Sequence, residues 1–123
     1  MGNKILIIED EEILLGLLRK KLIKEGYDVS VARDGEEGLE QIRKVKPDLI
    51  LLDIVMPKKG GIEVLEEKLE DEEIRDIPVI VISNSGQPVE LTKVKKLGAV
   101  DWLVKTEFDP KEVLDKVKKQ INS

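Results

Sequence analysis

"DLILLDIVMP", residues 48–57, decides how the rest of the chain is read. Four consecutive apolar residues, Leu49 to Leu52, end on the carboxylate of Asp53; Ile54, Val55, Met56 and Pro57 follow. A strand this uniformly apolar is one buried on both faces, as in a parallel sheet covered by helices. A carboxylate at the end of such a strand is costly to bury alone, so Asp53 needs a partner or a purpose.

The same kind of run recurs along the chain at Ile5–Ile8, Val29–Ala32, Val79–Ile82 and Trp102–Val104. Between these runs, apolar residues fall three and four apart, the spacing of one helix face. Leu14, Leu18 and Leu22 mark the first helix, and Leu39, Ile42 and Val45 the second. The third is marked by Val64, Leu65 and Leu69, the fourth by Leu91, Val94 and Leu97, and the last by Val113, Val117 and Ile121. Gly26 and Gly98 stand where helices end in a left-handed residue, and Asp109-Pro110 offers an N-cap followed by a first-turn proline. Strict alternation of strand and helix predicts an α/β fold with a parallel sheet between helical layers. Five such units with right-handed crossovers point to the order 2-1-3-4-5, a flavodoxin-like three-layer (βα)5 sandwich. Without a linker, repeat or low-complexity tract, residues 1–123 are expected to form a single domain.

Composition narrows the chemistry. With no cysteine there is neither disulfide nor thiolate metal site, and with no histidine the commonest general base is missing. Reactions must therefore run on carboxylates, hydroxyls, lysines and a borrowed cation. A net charge of −5 argues against nucleic acid as a partner. The apolar stretches are too short to span a bilayer, and Leu6 replaces the hydroxyl residue that myristoylation of Gly2 would want. A cytoplasmic, membrane-free protein is expected. Charged residues make up 38% and aromatics 2%, a balance that fits thermophilic, consensus or designed sequences.

In an open α/β sheet the site lies at the carboxyl ends of the strands, near the point where strand order reverses. Glu9 and Asp10 follow the first run, Asp53 the third, Ser83 the fourth and Lys105 the fifth. Taken singly, an acidic pair can be a helix cap, a serine a turn former and a lysine a solvated charge. Together, three carboxylates on one rim repel one another and call for a cation. Lys105 supplies one positive charge, and magnesium suits a site of carboxylates, waters and phosphate oxygens. In that setting Asp53 is placed to attack a phosphoryl group and become an aspartyl phosphate.

From "KILIIEDEE" through "PDLILLDIVMPKKGG" and "IPVIVISNSG" to "LGAVDWLVK", the chain resembles the receiver domain of two-component response regulators, of the single-domain chemotaxis type. The resemblance implies Asp53 as phosphoacceptor, Asp10 as a direct magnesium ligand and Glu9 as an acidic neighbour acting through water. It further implies that the Val55 backbone carbonyl ligates the metal, that Ser83 bonds the phosphoryl group and that Lys105 pairs with it. Trp102 falls at the aromatic switch position. The implied protein is not an enzyme beyond catalysing its own phosphorylation and dephosphorylation. Its partners would be a histidine kinase or phosphotransfer protein, and an output protein at the face of helix 4, strand 5 and helix 5. It would be a monomer or a weak phosphorylation-dependent dimer.

Several positions depart from the family's pattern. Thr106 replaces a proline whose peptide bond is commonly cis; a cis bond before a non-proline costs about 2.5–4 kcal/mol, so a trans Lys105–Thr106 bond is expected. Gly60-Gly61 should loosen the loop before the third helix. Asn84 should narrow access to Asp53, and Val55 and Ser85 offer little to orient water, which implies slow self-dephosphorylation. These departures leave open an alternative, a pseudo-receiver or engineered consensus scaffold that binds partners without phosphorylation. A flavin carrier is disfavoured because Glu9 and Asp10 would repel a phosphate after the first strand.

Overall fold

Each apolar run becomes one strand of a parallel sheet. The structure is a computed structural model that describes residues 3–56, 58–84, 88–107 and 109–122. The strands are β1 (Lys4–Ile8), β2 (Asp28–Ala32), β3 (Leu49–Asp53), β4 (Val79–Ser83) and β5 (Ala99–Val104). They alternate with helices α1 (Glu12–Lys24), α2 (Gly35–Val45), α3 (Gly61–Glu70), α4 (Pro88–Lys96) and α5 (Pro110–Ile121). The strand order is β2-β1-β3-β4-β5, all pairs parallel, with Ile5 opposite both Val29 and Leu49. This is the expected flavodoxin-like order.

Side chains alternate across a strand, so each one feeds two cores. Leu6, Ile8, Ile50, Leu52, Val79 and Val81 meet α2, α3 and α4 through Leu39, Ile42, Val64, Leu65 and Val94. Ile5, Ile7, Leu49, Leu51, Ile80 and Ile82 meet α1 and α5 through Leu15, Leu18, Leu22, Val113 and Val117. Every residue of β3 and β4 is buried, including Asp53 and Ser83 at their ends. β5 lies at the edge and is exposed at Val100 and Trp102.

The helix ends follow local chemistry. Gly26 and Gly98 sit at φ +92° and +100°, the left-handed region where a side chain would be strained. The Asp109 carboxylate accepts from the Lys111 N–H at 2.9 Å, with Pro110 opening α5.

One expected core residue is displaced. Leu69 is 37% exposed, and its neighbour Lys68 is buried instead. Lys68 lies one turn after Val64, on the helix's inner face, and its ammonium donates to the Arg75 carbonyl at 2.8 Å. Burial lowers its pKa to about 8. Among the described residues, no helix is long and apolar enough to cross a membrane.

Candidate functional site

β1 and β3 are neighbours, so Glu9 and Asp10, just beyond β1, meet Asp53 at the end of β3. The three offer carboxylate oxygens within 4.8 Å of one another. Asp53 continues the alternation of Leu49 and Leu51 and therefore belongs to the α1/α5 side of the sheet. Lys105, two residues beyond Leu103, reaches the same place from β5. Its ammonium lies 3.0 Å from Asp53 Oδ2, 3.4 Å from Glu9 Oε2 and 3.5 Å from Glu11 Oε1. The other Asp53 oxygen, Oδ1, accepts from the Val55 N–H at 3.2 Å.

The cluster is buried and short of positive charge among the described residues. Glu9 and Asp53 are both fully buried. Burial pushes the Glu9 carboxyl up to about 8; the Glu11 N–H opposes the rise and the adjacent Asp53 adds to it. Asp53 is also raised by burial, while contacts to Glu9, Lys105 and the Val55 N–H pull it back. Burial works against the Lys105 ammonium, but Asp53, Glu9 and Glu11 outweigh it and its pKa rises. Glu9 Oε2 accepts from the Glu11 N–H at 3.0 Å, whereas Glu9 Oε1 is buried without a hydrogen-bond partner among the described residues. An all-oxygen donor set with an orphaned buried oxygen fits a hard divalent cation.

Ser83 stands on the same rim but faces the other way. It continues the alternation of Val79 and Val81 toward α4, and its hydroxyl donates to Glu90 Oε1. Thus Glu9, Asp10, Asp53 and Lys105 come together as expected, while Ser83 is engaged with a carboxylate that the motif reading passed over. The signal was present: Glu90, Val94 and Leu97 share helical spacing, and Val94 is buried. Glu11 was likewise missed, because nothing local tells that it lies over Lys105.

The loop after β3 corrects one expectation. Gly60-Gly61 does not serve to loosen it. The Gly61 N–H donates to the Ile54 carbonyl at 2.8 Å, and a Cβ on Gly61 would lie 2.5 Å from the Asp53 carbonyl oxygen. Glycine is required there by close approach, which ties the start of α3 to the strand end bearing Asp53. The Lys105–Thr106 bond is trans, as expected without proline. Val55 and Asn84 are exposed. Pro57 and Ser85 lie outside the described residues.

Trp102 is 37% exposed on β5. Lys116 of α5 holds its ammonium 6.0 Å from the ring centroid and 2.7 Å from Asp101, whose carboxylate also accepts from the Trp102 N–H at 2.8 Å. In this structure the ring sits at the surface.

Comparison with known proteins accounts for the arrangement. The sequence profile of the response regulator receiver domain matches residues 5–118. The chain is 39% identical over 118 residues to the alkaline phosphatase synthesis transcriptional regulatory protein PhoP of Bacillus subtilis, covering 96% of this chain and 48% of that protein. It therefore spans about half the length of that curated relative. The structure of the chemotaxis response regulator CheY4 of Vibrio cholerae superposes with a TM-score of 0.91 at 27% identity, covering 98% of this chain and 99% of that one. The phosphorylated cyanobacterial phytochrome response regulator RcpA gives a TM-score of 0.82 at 30% identity, covering 97% and 91%.

Proposed function

Because the chain belongs to the response regulator receiver domain family of two-component systems, we propose that it signals by accepting a phosphoryl group on Asp53. The donor would be the phosphohistidine of a histidine kinase or phosphotransfer protein, or a small phosphodonor. The observation that carries this reading is the fully buried Asp53 carboxylate, with Lys105 on one oxygen and the Val55 N–H on the other, beside Glu9 and Asp10.

Phosphoryl transfer asks mainly for in-line positioning and neutralisation of spreading charge. The Val55 N–H and Lys105 fix the orientation of the Asp53 carboxylate and favour its ionised, nucleophilic form. An Asp53 oxygen attacks phosphorus as the bond to the donor nitrogen breaks, and that bond's electron pair returns to the imidazole. Lys105 then faces the new negative charge. Asp10, Asp53 and the Val55 carbonyl would hold magnesium, with Glu9 acting through water, and the ion would supply charge neutralisation to the phosphoryl group. Ser83 reads the product by donating its hydroxyl to a phosphoryl oxygen. Trp102 responds by turning from the surface, which changes the α4–β5–α5 face offered to an output partner.

The test is direct. With phosphoramidate and magnesium the protein should gain one base-labile phosphoryl group by mass spectrometry. Asp53→Asn should gain none while keeping its fold, since the amide preserves shape and loses the nucleophile. Equal gain by both proteins removes Asp53 as acceptor. No gain by either, even with a competent histidine kinase, favours a scaffold that binds partners without phosphorylation.

A further inference from the structure

We propose that Glu90 is a positioning residue that holds Ser83 on the α4 side of the sheet until Asp53 is phosphorylated. This rests on the reading of Asp53 as the phosphoacceptor. Three observations carry it. First, Ser83 follows Val79 and Val81 onto the α2/α3/α4 side, whereas Asp53 follows Leu49 and Leu51 onto the α1/α5 side. Second, Glu90 lies one turn before the buried Val94, so its carboxylate occupies a sheet-facing position of α4 that the helical pattern would fill with an apolar residue. Third, the Ser83 hydroxyl donates to Glu90 Oε1.

A serine hydroxyl carries one proton. The proton given to Glu90 is not available to a phosphoryl oxygen, so Ser83 must leave one acceptor to serve the other. The two acceptors are both anionic and compete for the same donor. Each also repels the other, so a phosphoryl group drawing Ser83 across the rim drives the Glu90 carboxylate away. Glu90 sits near the start of α4, and its release therefore frees that end of the helix from β4. The contact opposes activation in the unphosphorylated protein and transmits it to α4 once broken.

The competition is read by calorimetric titration with beryllofluoride and magnesium, which place a phosphoryl mimic on the acceptor carboxylate. Glu90→Ala should bind about tenfold tighter than wild type, the effect of removing one charge-assisted bond from the competing state. Glu90→Gln keeps an acceptor but not the charge and should fall between them. In a Ser83→Ala background, Glu90→Ala should tighten binding much less than it does with Ser83 present, by only the charge repulsion that its removal relieves. Unaltered affinity in Glu90→Ala, or equal tightening with and without Ser83, overturns the proposal; the latter outcome means that Glu90 acts by charge alone. A second readout needs no ligand. Three-bond couplings should show a shift in the Ser83 side-chain rotamer populations between the unphosphorylated wild type and Glu90→Ala, and identical populations in both would equally overturn it. If wild type takes up no beryllofluoride, the phosphoacceptor reading fails and the proposal fails with it, whereas uptake with unchanged affinity in Glu90→Ala removes the latch alone.

Discussion

On the α1/α5 side of the sheet the rim ends in Glu9, Asp53 and Lys105, whereas on the α4 side it ends in Ser83 bonded to Glu90. The first group is buried and leaves carboxylate charge only partly balanced. The second joins a neutral hydroxyl to a carboxylate on the neighbouring helix. Alternation along strands one residue thick separates them. Their difference teaches that one rim carries two devices: a charge trap that answers to protons and cations, and a donor whose direction answers to geometry. Only the first should depend strongly on pH and on magnesium.

The largest effect should come from breaking the charge trap. Lys105→Ala strands two buried carboxylates and should cost about 3–5 kcal/mol in urea unfolding at pH 8. The loss should shrink at pH 5, where Glu9 keeps its proton, and magnesium should recover part of it. A cost below about 1 kcal/mol at pH 8 would place the pair among ordinary surface bridges.

Next comes the pH dependence of the metal-free protein. The folded-state pKa of Glu9 is raised from 4.5 to about 8. Between those values the folded protein holds a proton that the unfolded chain has released. The contribution of Glu9 is therefore fully present below 4.5 and is lost as pH rises through about 8. Within that window the slope is up to about 1.4 kcal/mol per pH unit for one proton. Glu9→Gln should flatten the fall, and so should saturating magnesium. A wild-type profile with the same slope as Glu9→Gln would contradict this.

A smaller loss should follow Gly61→Ala, whose Cβ would sit 2.5 Å from the Asp53 carbonyl oxygen. Overpacking of this kind costs about 1–3 kcal/mol, and Gly60→Ala, with its nearest contact at 3.3 Å, should cost less. Equal thermal midpoints for the two variants would sink the close-approach explanation. The smallest effect belongs to the α4 side. Ser83→Ala should cost about 1 kcal/mol for its hydrogen bond and leave magnesium affinity unchanged, whereas Asp10→Asn should weaken that affinity sharply. A magnesium affinity that falls equally in both variants would erase the distinction between the two sides.

Amino-acid order alone was enough for the elements, their alternation, the strand order and the cluster of Glu9, Asp10, Asp53 and Lys105. Apolar periodicity is a local property, and residues directly after parallel strands share one rim whatever the helices do in detail. Tertiary structure decided what each of those residues touches. Ser83 pairs with Glu90 because α4 presents its sheet-facing stripe over the end of β4, and helix rotation is set by packing at Val94, not by any motif. Glu11, itself exposed, meets the Lys105 ammonium only because the fold brings the end of β5 beside the loop after β1, and Lys68 replaces Leu69 inside because the Arg75 carbonyl receives its ammonium. The need for glycine at 61 arises because a Cβ there would lie 2.5 Å from the Asp53 carbonyl oxygen, which composition reads only as freedom. Glu9 is raised because burial and Asp53 act on it together, and burial is a property of the assembled fold.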